Sequence, residues 1–92
     1  MTSVIKRSGK REKFSSRKLG QAIEKAARQA KVSTDARKTM VREIVSGVWK
    51  GIKRRKAVRA SHIRRMVFSR LESRSPKTMT AWRRYEKSHR VR

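Results

Sequence analysis

Lysine and arginine are the residues whose number and spacing can do chemistry here: 29 of 92 residues, against six acids, for a net charge of +23. They come in clusters. Lys6 and Arg7 are adjacent, Lys10 and Arg11 follow across Ser8 and Gly9, and Lys53, Arg54, Arg55, Lys56 and Arg59 form one block. Arg83, Arg84, Lys87, Arg90 and Arg92 form another. Such groups bind phosphate: guanidinium presents a planar fork of donors and ammonium a compact point charge. Crowding them on one small body costs self-repulsion, which a polyanion relieves while shedding its condensed counterions.

Other reactive types are sparse. The chain has no cysteine, so neither a disulfide nor a thiolate metal site can form. His62 and His89 lack a surrounding cluster of carboxylates, and no metal site is expected. The acids are dispersed over separate segments with no Ser-His-Asp, zinc or P-loop constellation, so an enzyme is not expected. No run approaches the roughly 20 apolar residues needed to span a bilayer, and Met1 to Gly9 lacks the apolar core of a signal peptide. The expectation is a cytoplasmic protein that contacts no membrane.

High charge with 35% hydrophobic residues also describes a disordered basic tail. Here the apolar residues recur at helical spacing, which argues for a folded domain. Two short extended runs, Thr2 to Arg7 and Arg11 to Phe14, flank Ser8-Gly9 and predict a β-hairpin, Gly9 supplying the positive φ of the turn. Leu19, Ala22, Ile23, Ala26, Ala27 and Ala30 then mark an amphipathic helix capped by Ser15 or Ser16. Ser33 or Thr34 caps a second helix with a Val41, Ile44, Val45, Val48, Ile52 stripe, weakened late by Gly47 and Gly51 and ending near Gly51. Ala57 to Arg59 is β-compatible and can add a third strand. A third helix starts near Ala60 or Ser61, with Ile63, Met66, Val67 and Leu71 inward and Phe68 beside them. Ser75-Pro76 opens a fourth, bearing Met79, Trp82 and Tyr85. The fold class is α+β: an N-terminal β-hairpin, with room for a third strand in a small sheet, packed on a four-helix bundle. It forms one domain over 1–92 with a basic, frayed tail at 87–92.

The pattern Val4-x-Lys6-Arg7-x-Gly9, then Glu12-x-Phe14 and Lys18-Leu19, resembles the signature of the ATP-cone family. So do the segment Ala57 to Ile63 and the closing Trp82-Arg83-Arg84-Tyr85, and the resemblance extends over the whole chain. Members are nucleotide-sensing regulatory modules at the front of ribonucleotide reductases, in the bacterial repressor of ribonucleotide reductase genes, and in small stand-alone archaeal proteins. Their fold is a small sheet over a four-helix bundle. By this resemblance Lys6 and Arg7 match the basic pair on the nucleotide phosphates, Val4 helps wall the base pocket, and Glu12 and Lys18 match further contacts. ATP or dATP is then the implied ligand, with no cofactor required. Two positions depart from the pattern. Ser8 replaces the usual Asp of the turn, and Ala60 stands where the family has Thr or Ser near the nucleotide. Ser61 can substitute for that hydroxyl only if the helix start shifts.

Two functions compete. Charge far from any single pocket favours a nucleoid-associated, chromatin-type protein on this scaffold that binds double-stranded DNA through its phosphates. Lys10, Arg11, Lys53, Arg54, Arg55, Lys56, Arg59, Arg83, Arg84, Lys87, Arg90 and Arg92 would be its contacts. The alternative is an ATP- or dATP-binding module controlling oligomerisation or a partner enzyme. RNA is a further candidate partner, but Phe14, Phe68, Trp82 and Tyr85 read as core or core-edge residues and leave few stacking platforms. Trp49 lies off the stripe of its helix; packing is expected of it, with stacking on a base as the alternative. A modest core favours dimers or higher oligomers.

Overall fold

The computed structural model describes the backbone of residues 2–90 and the side chains of residues 2–84. Strand β1 (Ser3–Ile5) and strand β2 (Arg11–Lys13) form the hairpin. Helix α1 (Ser16–Gln29) and helix α2 (Thr34–Ile52) follow. Strand β3 (Ala57–Arg59) leads directly into helix α3 (Ala60–Arg74), and helix α4 (Pro76–Arg90) completes the order. The frayed tail expected over 87–92 lies outside the residues described in full.

The sheet order is β2-β1-β3. β1 pairs antiparallel with β2, setting Ser3, Val4 and Ile5 opposite Lys13, Glu12 and Arg11. β3 pairs parallel to β1, with Val4 opposite Val58. The strands are shorter than the extended runs in the sequence because the chain turns early. The Lys6 N–H donates to the Lys10 carbonyl at 2.8 Å and the Gly9 N–H to the Lys6 carbonyl at 2.9 Å. Gly9, at φ 87°, takes the left-handed position where a Cβ would be strained.

Helix ends are set by local chemistry. Ser15 caps α1, its hydroxyl accepting from the Lys18 N–H at 3.2 Å. At the other end the Val32 N–H donates to Ala27 and the Lys31 N–H to Arg28, both at 3.0 Å, a Schellman pattern that places Lys31 at φ 60°. Ser75 caps α4 by accepting from the Thr78 N–H at 3.4 Å, ahead of Pro76 at the first helical position.

The core gathers Ile23, Ala26 and Ala27 of α1, Met40, Ile44, Val48 and Ile52 of α2, Val58 of β3, Ile63, Val67 and Leu71 of α3, and Ala81 and Trp82 of α4. The small α1 residues let the bundle close around them, and Thr78 is buried beside this cluster. α2 ends at Ile52, one residue past Gly51, as its glycine-weakened late turns predict. Gly51 also lies close to α3, since a Cβ there would lie 2.5 Å from the Met66 methyl carbon. Thr2 ties the sheet to the bundle: its buried hydroxyl donates to the carbonyl of Ile52, the last residue of α2 (3.0 Å), and to that of Arg55 in the loop that follows (2.9 Å). The Ser3 N–H donates to the Lys56 carbonyl at 2.9 Å, so β1 begins against the α2–β3 loop.

Candidate functional site

Because β1 and β3 run parallel, their C-terminal ends emerge together, Ile5 opposite Arg59. Beyond them the chain does two different things: β1 enters the hairpin turn, and β3 becomes the first turn of α3. The turn and the helix start therefore face one cleft of about 500 Å³, lined by Ile5, Lys6, Arg7, Gly9, Arg59, Ala60, Ser61 and Arg64. Four of those residues are cations.

The helix start adds to this field. Arg59, the N-cap of α3, makes no side-chain cap hydrogen bond, and the first turn holds no acid. The first N–H groups of a helix have no partner within it and carry the positive end of its dipole. With Lys6 and Arg7 opposite, the arrangement suits an anion with several oxygens. Ser61 borders the opening together with Ala60 while α3 begins at Ala60, with no shift of the helix start.

Lys6 and Glu12 face each other across the hairpin, with the Lys6 ammonium 3.0 Å from a Glu12 carboxylate oxygen. That hydrogen bond is the main cause that holds the Glu12 carboxyl below its ordinary value of 4.5; desolvation opposes it, and the charges of Lys6 and Lys18 add to the lowering. Both side chains are exposed, so the pair is weak and exchangeable. Glu12 thus feels both Lys6, which lines the cleft, and Lys18 on α1.

The other residues implied by the resemblance lie as follows. Arg7 lines the cleft. Val4, one step back on β1, packs against the core, while its neighbour Ile5 lines the cleft. Lys18 lies on α1 with Gln21, Ala22, Glu24, Lys25 and Arg28 around a separate cavity. Ile5 and Arg64 line the cleft without standing out in the sequence as site residues. The signal for them is indirect, since only the parallel β1–β3 pairing brings α3's first turns to the hairpin.

The residues expected on nucleic acid are spread. Arg59 lines the cleft, Lys10 is in the hairpin turn and Arg11 is on β2. Lys53, Arg54, Arg55 and Lys56 form the exposed α2–β3 loop. Arg83 is exposed, with its guanidinium carbon 5.4 Å from the Phe68 ring centroid, a cation–π contact, and Arg84 is exposed beside it. Lys87, Arg90 and Arg92 lie outside the residues described in full. Trp49 is 38% exposed and stacks on Phe14, with centroids 5.6 Å apart and planes 12° from parallel.

Among the described residues no group of His, Cys, Asp or Glu is placed to hold a metal ion. Nor is any described helix long and apolar enough to cross a membrane. Comparison with curated proteins finds no significant match. A family model described as the ATP cone domain matches residues 2–91. With a small mixed sheet beside four helices and a match running nearly end to end, the chain belongs to the ATP cone domain family.

Proposed function

We propose that the cleft between the hairpin turn and the start of α3 binds the polyphosphate of ATP or dATP, and that the domain acts as a nucleotide-responsive regulatory module. The observation that carries this reading is the convergence of Lys6, Arg7, Arg59 and Arg64 with an uncapped helix start around one opening. Family membership supports the same ligand class. An arriving phosphate competes with Glu12 for Lys6, and because that pair is exposed the exchange costs little. Glu12, an acceptor only, is then free to take a hydrogen bond from a ribose hydroxyl or an adenine amine.

Calorimetric titration with Mg-ATP and with dATP tests this. Each hydrogen bond to a charged group is worth about 1.5–3 kcal/mol, and about 1.4 kcal/mol is tenfold in affinity. Lys6→Ala with Arg7→Ala should therefore weaken binding at least tenfold while leaving helicity intact. Undiminished affinity in that double variant would remove the phosphate role of the pair.

A second reading, duplex DNA bound through its phosphates, is favoured by the α2–β3 loop. Lys53, Arg54, Arg55 and Lys56 are successive and exposed, and no ion pair engages them among the described residues. The loop precedes β3 and the cleft follows it, roughly 10 Å of strand apart. A polyanion on the loop and a nucleotide in the cleft would sense each other's charge, and a nucleotide that altered self-association would change how many DNA contacts form at once.

A further inference from the structure

Away from the hairpin cleft, α1 and α2 leave a groove of about 560 Å³ between them, and the two openings share no lining residue. Gly20 of α1 and Val41, Val45 and Trp49 of α2 line it, with Arg17 and Arg42 on its rim. Gly20 has no side chain to cover the two half-buried valines. Trp49 is the exposed large hydrophobic residue of the described chain, held in place by Phe14. A stacked, oriented tryptophan beside two aliphatic side chains is the composition of an interface anchor rather than of a solvated face.

Length and charge narrow the occupant. Val41 to Trp49 covers nine residues of α2, eight rises or about 12 Å, which matches the reach of i, i+4 and i+7 anchors on a docked helix. Arg17 and Arg42 make no ion pair among the described residues. Glu24, the acid of the groove, is already held by Arg28 at 2.9 Å and Arg37 at 3.8 Å. A second copy would bring another +23 chain against these arginines. Duplex DNA presents phosphates and would leave the valines unused. We propose that the α1–α2 groove is a docking site for an acidic amphipathic helix of a partner protein, its apolar stripe on Val41, Val45 and Trp49 and its carboxylates on Arg17 and Arg42.

The probe is a fluorescein-labelled peptide helix with Leu at i, i+4 and i+7 and Glu on the flanking positions, followed by anisotropy against the full chain at physiological salt. A scrambled peptide of identical composition is the control. The patterned peptide should bind at least tenfold tighter than the scramble, and Trp49→Ala and Arg42→Glu should each weaken it at least fivefold. Arg42 is exposed, so its variant keeps the fold and secures the test if Trp49→Ala does not. Equal binding of both peptides would overturn the proposal, since charge alone would then be recognised. So would a concentration-dependent dimer in sedimentation that Arg42→Glu abolishes, or a single-stranded oligonucleotide that displaces the patterned peptide in a Trp49-dependent manner.

Discussion

Glu12 and Lys6 show how one hydrogen bond organises the edge of the site. Because the folded carboxyl is held below its ordinary value, the pair's contribution is fully present above the usual carboxylate range and fades as pH falls through the lowered value. Carbon-detected NMR titration should find the Glu12 pKa below 4.5, and Lys6→Ala should move it upward. An unmoved value in the variant would assign the shift to another cause. Thr2 acts at the same scale. Thr2→Val keeps the shape but strips the donor from the Ile52 carbonyl at the end of α2 and the Arg55 carbonyl in the loop after it, so denaturant unfolding should show a loss of about 1–3 kcal/mol. The sequence singles out Lys6, Arg7 and Glu12 through the family resemblance, and a local turn is enough to bring Lys6 and Glu12 together. Thr2 is not singled out, since its Ile52 acceptor is 50 positions away and nothing near Thr2 signals it.

At the scale of elements, periodicity and caps carried most of the information. The alanine stripe of α1, the Ser15 cap and the Ser75-Pro76 opening are local patterns, and local patterns survive folding. The parallel pairing of β3 with β1 is long-range, and a stretch as short as Ala57–Arg59 specifies no partner by itself. The cleft depends on that pairing, which is why Ile5 and Arg64 are not legible as site residues in the sequence. Gly51 illustrates the same limit: by propensity it weakens a helix, whereas in the fold it makes room for Met66. A Cβ there meets only the far end of the flexible Met66 side chain, so Gly51→Ala should raise stability by up to about 1 kcal/mol through helix propensity, read as the unfolding midpoint; a fall in the midpoint would show that Met66 does not yield. Lys31 runs the other way. It takes the left-handed C′ position of α1 without being glycine, so Lys31→Gly should raise stability by about 1 kcal/mol, read as an increase in unfolding midpoint.

Across the whole molecule, charge and fold say different things. Composition raises the expectation of a polyanionic partner, because 29 cations exceed what one pocket needs. The fold adds what composition cannot hold: one subset of those cations meets a helix start in a cleft, while another lies in an exposed loop. If the loop binds duplex DNA, Arg54→Ala, Arg55→Ala and Lys56→Ala together should lower the slope of log affinity against log salt by up to about three, near 0.9 for each phosphate no longer neutralised. An unchanged slope would take the loop off any DNA surface and leave the nucleotide reading untouched. That reading is tested most directly by following backbone amide shifts while Mg-ATP is added at constant ionic strength. The account predicts saturable changes largest at Lys6 to Lys10 and at Ala60 to His62, where the turn and the helix start face the cleft. Changes centred on Lys53 to Lys56 or on the Trp49 groove, or no saturable change at all, would contradict it.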